Sequence, residues 1–84
     1  RSGKFEKQLQ KLNRSVAKDI LQFMYAKLEG IENPRSIGKS LKGNLQGLWR
    51  YRIGDYRLIC QIQDEKLIVL AVEIAHRKDV YKGK

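Results

Sequence analysis

The sequence predicts an α+β fold, an N-terminal helical hairpin packed on a small antiparallel β-sheet. Three observations predict it. Apolar residues recur at helical spacing through residues 1–30, strand-length apolar segments separated by tight-turn signals fill Leu48 to His76, and a turn-rich basic segment lies between the two. At 84 residues the chain reads as a single domain, 1–84, with one small core.

Phe5, Leu9 and Leu12 stand at i, i+4 and i+7, with Lys4, Glu6, Lys7 and Lys11 on the other faces of a first helix. Asn13 interrupts the pattern. Either Asn13 or Ser15 is placed to cap a second helix, because a short oxygen-bearing side chain satisfies a free N–H of the first turn. Val16, Ile20, Phe23, Met24, Lys27 and Leu28 continue the repeat, and Gly30 is a natural stop. Two antiparallel helices with a short connection are the simplest arrangement, and their lysine-rich outer faces read as solvated surface. From Ile31 to Gly47 the periodicity ends. Asn33-Pro34 signals a turn, and Gly38, Gly43 and Gly47 punctuate a basic loop carrying Arg35, Lys39 and Lys42. Such a loop suits phosphate contact, with Lys39 and Lys42 as its candidate RNA-binding residues, although the spacing matches no Walker motif.

Strands are predicted at about Leu48–Ile53, Tyr56–Gln63 and Leu67–His76. Gly54-Asp55 fits a two-residue type II′ turn, and Asp64-Glu65 supplies a second turn. The first turn sets Ile53 opposite Tyr56, Arg52 opposite Arg57 and Tyr51 opposite Leu58. Alternation then gathers Trp49, Tyr51, Ile53, Tyr56, Leu58, Cys60 and Ile62 on an apolar face that packs on the helices. Arg50, Arg52 and Arg57 share the opposite, solvent-facing side. Like charges directly across a sheet destabilise it, by roughly a few tenths of a kcal/mol at an exposed site. An anionic ligand such as an RNA phosphate gives the cluster a purpose. The side taken by His76 depends on the second connection. An even number of residues there places Val72, Ile74 and His76 with the arginines, and an odd number turns His76 toward the helices. Beyond the last strand, Tyr81 lies among Lys78 and Lys82, where its ring could stack on a base while the two lysines meet RNA phosphates.

Composition narrows the function classes. Eighteen Lys and Arg against nine Asp and Glu give a formal net charge of +9. Such a field favours nucleic acid or an acidic protein partner. The longest apolar run, Leu67 to Val72, is too short to span a bilayer, and no segment combines a large apolar face with a basic one, so no membrane role is expected. No secretory signal is visible at the N-terminus. Cys60 is the single cysteine, which excludes an internal disulfide and, with His76 as the only histidine, a zinc cluster. Its apolar strand makes it a buried, inert thiol in a reducing, cytoplasmic setting. Neither metal nor cofactor is expected.

Leu41-Lys42-Gly43, Gly47-Leu48-Trp49-Arg50, the Tyr56-Arg57-Leu58-Ile59 strand and His76-Arg77-x-x-Val80-Tyr81 occur in this order after a helical hairpin. In that order and spacing the chain resembles the RelE family of the RelE/ParE toxin superfamily, from about Phe5 to Tyr81. The resemblance implies the toxin of a type II toxin–antitoxin system, a ribosome-dependent endoribonuclease. Such a toxin cuts messenger RNA in the ribosomal A site without a metal, through attack of a ribose 2′-OH on the adjacent phosphate. A cognate acidic antitoxin neutralises it, and its other partners are the ribosome and mRNA. Carried over by position, Arg50 and Arg52 match strand cations that hold or activate the substrate. Arg57 matches an arginine that stabilises the pentacovalent phosphate, Arg77 one with that role or that of protonating the leaving oxygen, and Tyr81 a base-stacking tyrosine.

Two departures shape the expectations. Well-known members carry lysines where this chain has Arg50 and Arg52, and arginine does not readily release a proton. Histidine is the side chain that ordinarily changes charge near neutrality, so His76 becomes the candidate for proton transfer. Members also begin with a short strand before the first helix. Here Arg1-Ser2-Gly3 stands in its place, so the first strand is expected to be missing, leaving three visible strands and an exposed sheet edge. The alternative function is that of the ParE branch, a non-catalytic DNA gyrase inhibitor. A catalytically silent RNA-binding module is a third.

Overall fold

The structure is a computed structural model that describes residues 3–66 and 68–76. Helix α1 (Gly3–Lys11) is followed, after Leu12 and Asn13, by α2 (Arg14–Phe23), which widens into a π turn over Met24–Leu28. Asn13, rather than Ser15, is the cap: its side-chain oxygen accepts from the Ser15 backbone N–H at 2.8 Å. Gly30 ends the helix at φ 74°, a left-handed conformation that glycine adopts without strain.

Four strands form one antiparallel sheet in the order β1 (Lys39–Ser40), β2 (Trp49–Ile53), β3 (Tyr56–Gln63), β4 (Ile68–His76). The expected sheet of three strands therefore gains a fourth, a two-residue strand inside the basic loop. The expected β2–β3 register is found, with Ile53 opposite Tyr56, Arg52 opposite Arg57 and Tyr51 opposite Leu58. Gly54 sits at φ 61°, as the turn requires.

One face of the sheet meets the helices. Phe5, Leu9, Ile20 and Leu28 from the helical side bury against Tyr51, Leu58, Cys60, Ala71 and Ile74. Cys60 is fully buried, and that burial pushes its thiol up to about 12, so it stays protonated and unreactive at neutral pH. At the β4 edge, α1 lies alongside the strand. The Gln8 side-chain oxygen accepts the Ile74 backbone N–H at 2.6 Å, and Lys4 reaches Glu73 at 3.4 Å. A helix thus covers part of the edge expected to stand open.

The loop between the helices and β2 is tied to the sheet by aromatic side chains with polar tips. Trp49 donates through Nε1 to the Ile37 carbonyl at 2.7 Å, and the Tyr51 hydroxyl donates to the Pro34 carbonyl at 2.7 Å. Burial of Tyr51 raises its phenol to about 12, which keeps that donor protonated. Arg35 makes a bidentate pair with Asp64 at 2.7 and 3.2 Å and lies over the Trp49 ring. The Arg35 guanidinium accordingly holds the Asp64 carboxyl below its ordinary range. Gly38 is the closest approach. Its φ is 81°, and a Cβ there would lie against the Arg50 carbonyl, 2.7 Å from Trp49 Nε1 and 2.8 Å from Tyr51 Cδ1.

Gly38→Ala is expected to destabilise the protein by about 2–3 kcal/mol, because backbone strain and a clash with backbone act together. Gly54→Ala, at φ 61° with nothing within 4 Å of the added carbon, should cost only about 1 kcal/mol. Urea denaturation of the two variants beside wild type measures the difference, and equal losses would contradict the close packing at Gly38.

Candidate functional site

The hairpin register carries Arg50, Arg52 and Arg57 to the sheet face away from the helices, and β1 adds a fourth cation. Lys39 pairs directly with Arg50, so the two side chains share a face. The pairing of β1 covers only Trp49 and Arg50, so Tyr51–Ile53 runs beyond its end. A cleft of about 450 Å³ lies around this end of the strand. It is lined by Phe23, Lys27, Ile37, Gly38 and Lys39, with Arg50, Tyr51, Arg52 and Arg57.

Arg57 departs from the sequence expectation. It was expected on a solvent-facing cluster, yet it is only 6% exposed, and Ile59 on the same face is 2% exposed. Its Nε and Nη1 are buried with no hydrogen-bond partner among the described residues. A buried guanidinium normally finds acceptors, because an unsatisfied charged donor costs more than about 1–3 kcal/mol. Arg52 is exposed and Arg50 half-buried. The described residues that line the cleft thus bring cations together with no carboxylate among them, an arrangement that suits an anion.

His76 also departs from expectation. The second connection does contain an even number of residues, since Gln63 pairs with Ile68 and residues 64–67 lie between them. However, Ile59 pairs with Glu73 while Cys60 pairs with Ala71, so Val72 is an extra residue in β4. One extra residue reverses the facing of everything beyond it. His76 consequently pairs with Tyr56, and the rings meet edge to face at 5.1 Å on the helix side of the sheet. Ile74 is turned to the core by the same slip.

Lys42 is exposed in the loop, where it precedes the short helical turn Gly43–Leu45, and it does not line the cleft. Arg77, Lys78, Tyr81 and Lys82 lie outside the described residues. The sequence reading missed Phe23, Lys27 and Ile37. Phe23 and Lys27 are four apart on a helix, a spacing that marks one face, but an aromatic at that spacing reads as core and a lysine as solvated surface.

The family of ParE toxins of type II toxin–antitoxin systems, parDE, matches residues 1–81. The chain belongs to the RelE/ParE superfamily of type II toxins. Within it, the chain is 35% identical over 74 residues to Toxin RelE of Mycobacterium tuberculosis, covering 88% of this chain and 74% of that protein. It is 32% identical over 74 residues to Toxin RelG of the same organism, covering 88% and 83%. Its fold matches a chain of the toxin–antitoxin complex RelBE2 from M. tuberculosis with TM-score 0.80 and 29% identity, over 90% of this chain and 85% of that one. The isolated Escherichia coli RelE toxin matches with TM-score 0.67 and 22% identity over 98% and 87%, a likeness of fold alone. These relatives make this a RelE-family toxin, with two helices on a four-stranded antiparallel sheet and the cation cleft at the β1–β2 end.

Replacing Arg57 of this RelE-family toxin tests whether its guanidinium is unsatisfied. Arg57→Met keeps the buried volume while removing the charge and the repulsion from Arg52, and is expected to match or exceed wild-type stability by up to about 2 kcal/mol in urea denaturation. Arg57→Ala leaves a cavity and should fall below the Met variant. A Met variant more than about 1 kcal/mol less stable than wild type would mean that the guanidinium is satisfied by the protein in solution.

Proposed function

We propose that residues 1–84 form one toxin domain that cleaves messenger RNA in the ribosomal A site and so inhibits translation. The single observation that carries this reading is Arg57, buried with two guanidinium nitrogens unpartnered among the described residues, which lines one cleft with Arg50, Arg52 and Lys39. The M. tuberculosis toxins RelE and RelG, both above 30% identity, support the reaction class. In the proposed reaction the ribose 2′-OH attacks the adjacent phosphorus. The O2′–P bond forms, the P–O5′ bond breaks, and the products end in a 2′,3′-cyclic phosphate and a 5′-OH. The 2′ proton leaves to a base and the 5′ oxygen takes one up. Charge on the phosphate oxygens grows in the transition state, and the unsatisfied donors of Arg57 become most favourable there. Arg50, Arg52 and Lys39 hold the flanking backbone as point or fork donors. Arg77 and Tyr81 keep the roles that the family resemblance gives them. His76 packs on Tyr56 and has no proton-transfer role in this reading.

Removing one transition-state donor costs on the order of 3 kcal/mol. Arg57→Met is therefore expected to lower the single-turnover rate on a preassembled ribosome complex by about 100-fold or more. His76→Ala should stay within about tenfold of wild type, below the loss expected on removing a general acid or base. A 2′-deoxy substitution at the scissile nucleotide should block cutting. Cleavage of the deoxy message, or a wild-type rate for Arg57→Met, would overturn the mechanism.

The partner proposed for this toxin is an acidic antitoxin, supported by the RelBE2 toxin–antitoxin complex among its structural relatives and by the net charge of +9. With the ribosome as target, the proposed site of action is the cytoplasm. No helix among the described residues is long and apolar enough to cross a membrane. Charge reversal at exposed Arg52 is expected to slow antitoxin association and flatten its salt dependence, as stopped-flow mixing at several ionic strengths would record. Unchanged kinetics would place the interface elsewhere. The ParE description of the matching family keeps gyrase inhibition as the second reading. Primer extension on a translated message separates the two, since a gyrase inhibitor leaves the message intact and elicits DNA-damage signalling.

A further inference from the structure

The cation cleft is not made by the sheet alone. Its lining joins the end of the helical region, the loop before β1, and the two central strands. Among the described residues of the lining, five side chains are basic (Lys27, Lys39, Arg50, Arg52 and Arg57) and none is acidic. A single phosphodiester carries one negative charge. Five cations around it would leave most of their mutual repulsion uncompensated, so the lining suits a ligand with more than one phosphate within reach.

The same lining includes apolar surface. Phe23 and Ile37 are half-buried, and Phe23 packs against Tyr51 with ring centroids 5.8 Å apart. That contact fixes the Phe23 ring without covering it. A volume of about 450 Å³ lies at the small end of ligand-binding clefts and suits a single nucleotide. Lys27 sits in the π turn that follows α2, four residues beyond Phe23, and its side chain is exposed. The other lysines of the helices do not line this cleft. Bases stack on aromatic rings irrespective of sequence, and neighbouring phosphates flank every base.

We propose that Phe23 and Lys27 form the helix-side wall of a nucleotide subsite in this cleft, with Phe23 and Ile37 receiving the base and Lys27 a phosphate flanking the one held by Arg57. The inference rests on the endoribonuclease reading and deepens it. It assigns substrate binding to two helical residues, and makes the end of the second helix part of the RNA interface.

Isothermal titration of the full chain with adenosine 3′,5′-bisphosphate and with inorganic pyrophosphate tests the subsite. Lys27→Gln is expected to weaken both probes by about 5- to 10-fold, as loss of a charged hydrogen-bond donor does, and Lys27→Arg should retain binding. Phe23→Leu is expected to weaken the bisphosphate by roughly tenfold and leave pyrophosphate unchanged, because only the nucleoside has a base to stack. Phe23→Tyr keeps the ring and should bind both probes as wild type does. If Phe23→Leu fails to fold, the Lys27 pair and Phe23→Tyr decide. Wild-type affinity in Lys27→Gln, an equal loss of both probes in Phe23→Leu, weakened bisphosphate binding in Phe23→Tyr, or no binding of the bisphosphate by wild type would each overturn the proposal. Failure of the subsite is distinguishable from failure of the endoribonuclease reading. In the first case Lys27→Gln binds as wild type while wild type still cuts the message. In the second, bisphosphate binding depends on Lys27 and Phe23 while wild type leaves the message whole.

Discussion

The tight turn at Gly54-Asp55 sets Ile53 opposite Tyr56, and from that pair every side chain of β2 and β3 receives its face. Tyr51, Leu58 and Cys60 fall toward the helices and become the centre of the core, while Arg50, Arg52 and Arg57 fall to the other side. The same constraint that buries the apolar residues therefore gathers the arginines. A slip of one residue would bury the cations under the helices and expose the core, so the cluster cannot disperse without loss of the fold. The loop pinned by Trp49 and Tyr51 then brings Lys39 alongside Arg50 and closes one side of the cleft.

Arg57 is where stability and the proposed function pull apart. Its guanidinium is buried opposite another arginine, with two nitrogens unpartnered among the described residues, and each of these features is unfavourable for a folded protein without a ligand. The surrounding core offsets the cost. A site kept short of acceptors is preorganised for an anion, since no internal hydrogen bond has to break when a phosphate enters. An exposed arginine paired with a carboxylate offers no such advantage, and Arg35, engaged by Asp64, illustrates it on the same molecule. The two arginines differ in chemistry only through their surroundings.

The bulge at Val72 changes which face the end of β4 presents. Without it, Ile74 and His76 would continue the arginine face, and a titratable imidazole would stand near the cations. With it, Ile74 completes the core and His76 packs on Tyr56. Among the described residues, the charged groups that line the cleft are arginines and lysines. This favours electrostatic stabilisation over proton transfer by the described residues.

The fold class, both helices, the central strands and the β2–β3 register were legible in the sequence, because each depends on local period and on one turn with glycine at its first position. The convergence of Arg50, Arg52 and Arg57 followed from that register, and so did the inert setting of Cys60. Tertiary structure alone decided the rest. The bulge that turned His76 inserts a single residue into an apolar run, Val69 to Val72, in which no turn residue marks the slip. The two-residue strand at Lys39–Ser40 exists only because Gly38 lets the loop lie against β2 and two aromatic tips hold it there. The burial of Arg57, and the meeting of Phe23 and Lys27 with the arginines in one cleft, are decided by tertiary packing. Spacing along a chain shows which residues share a face, but the depth of a side chain and its neighbours from distant elements are set by packing.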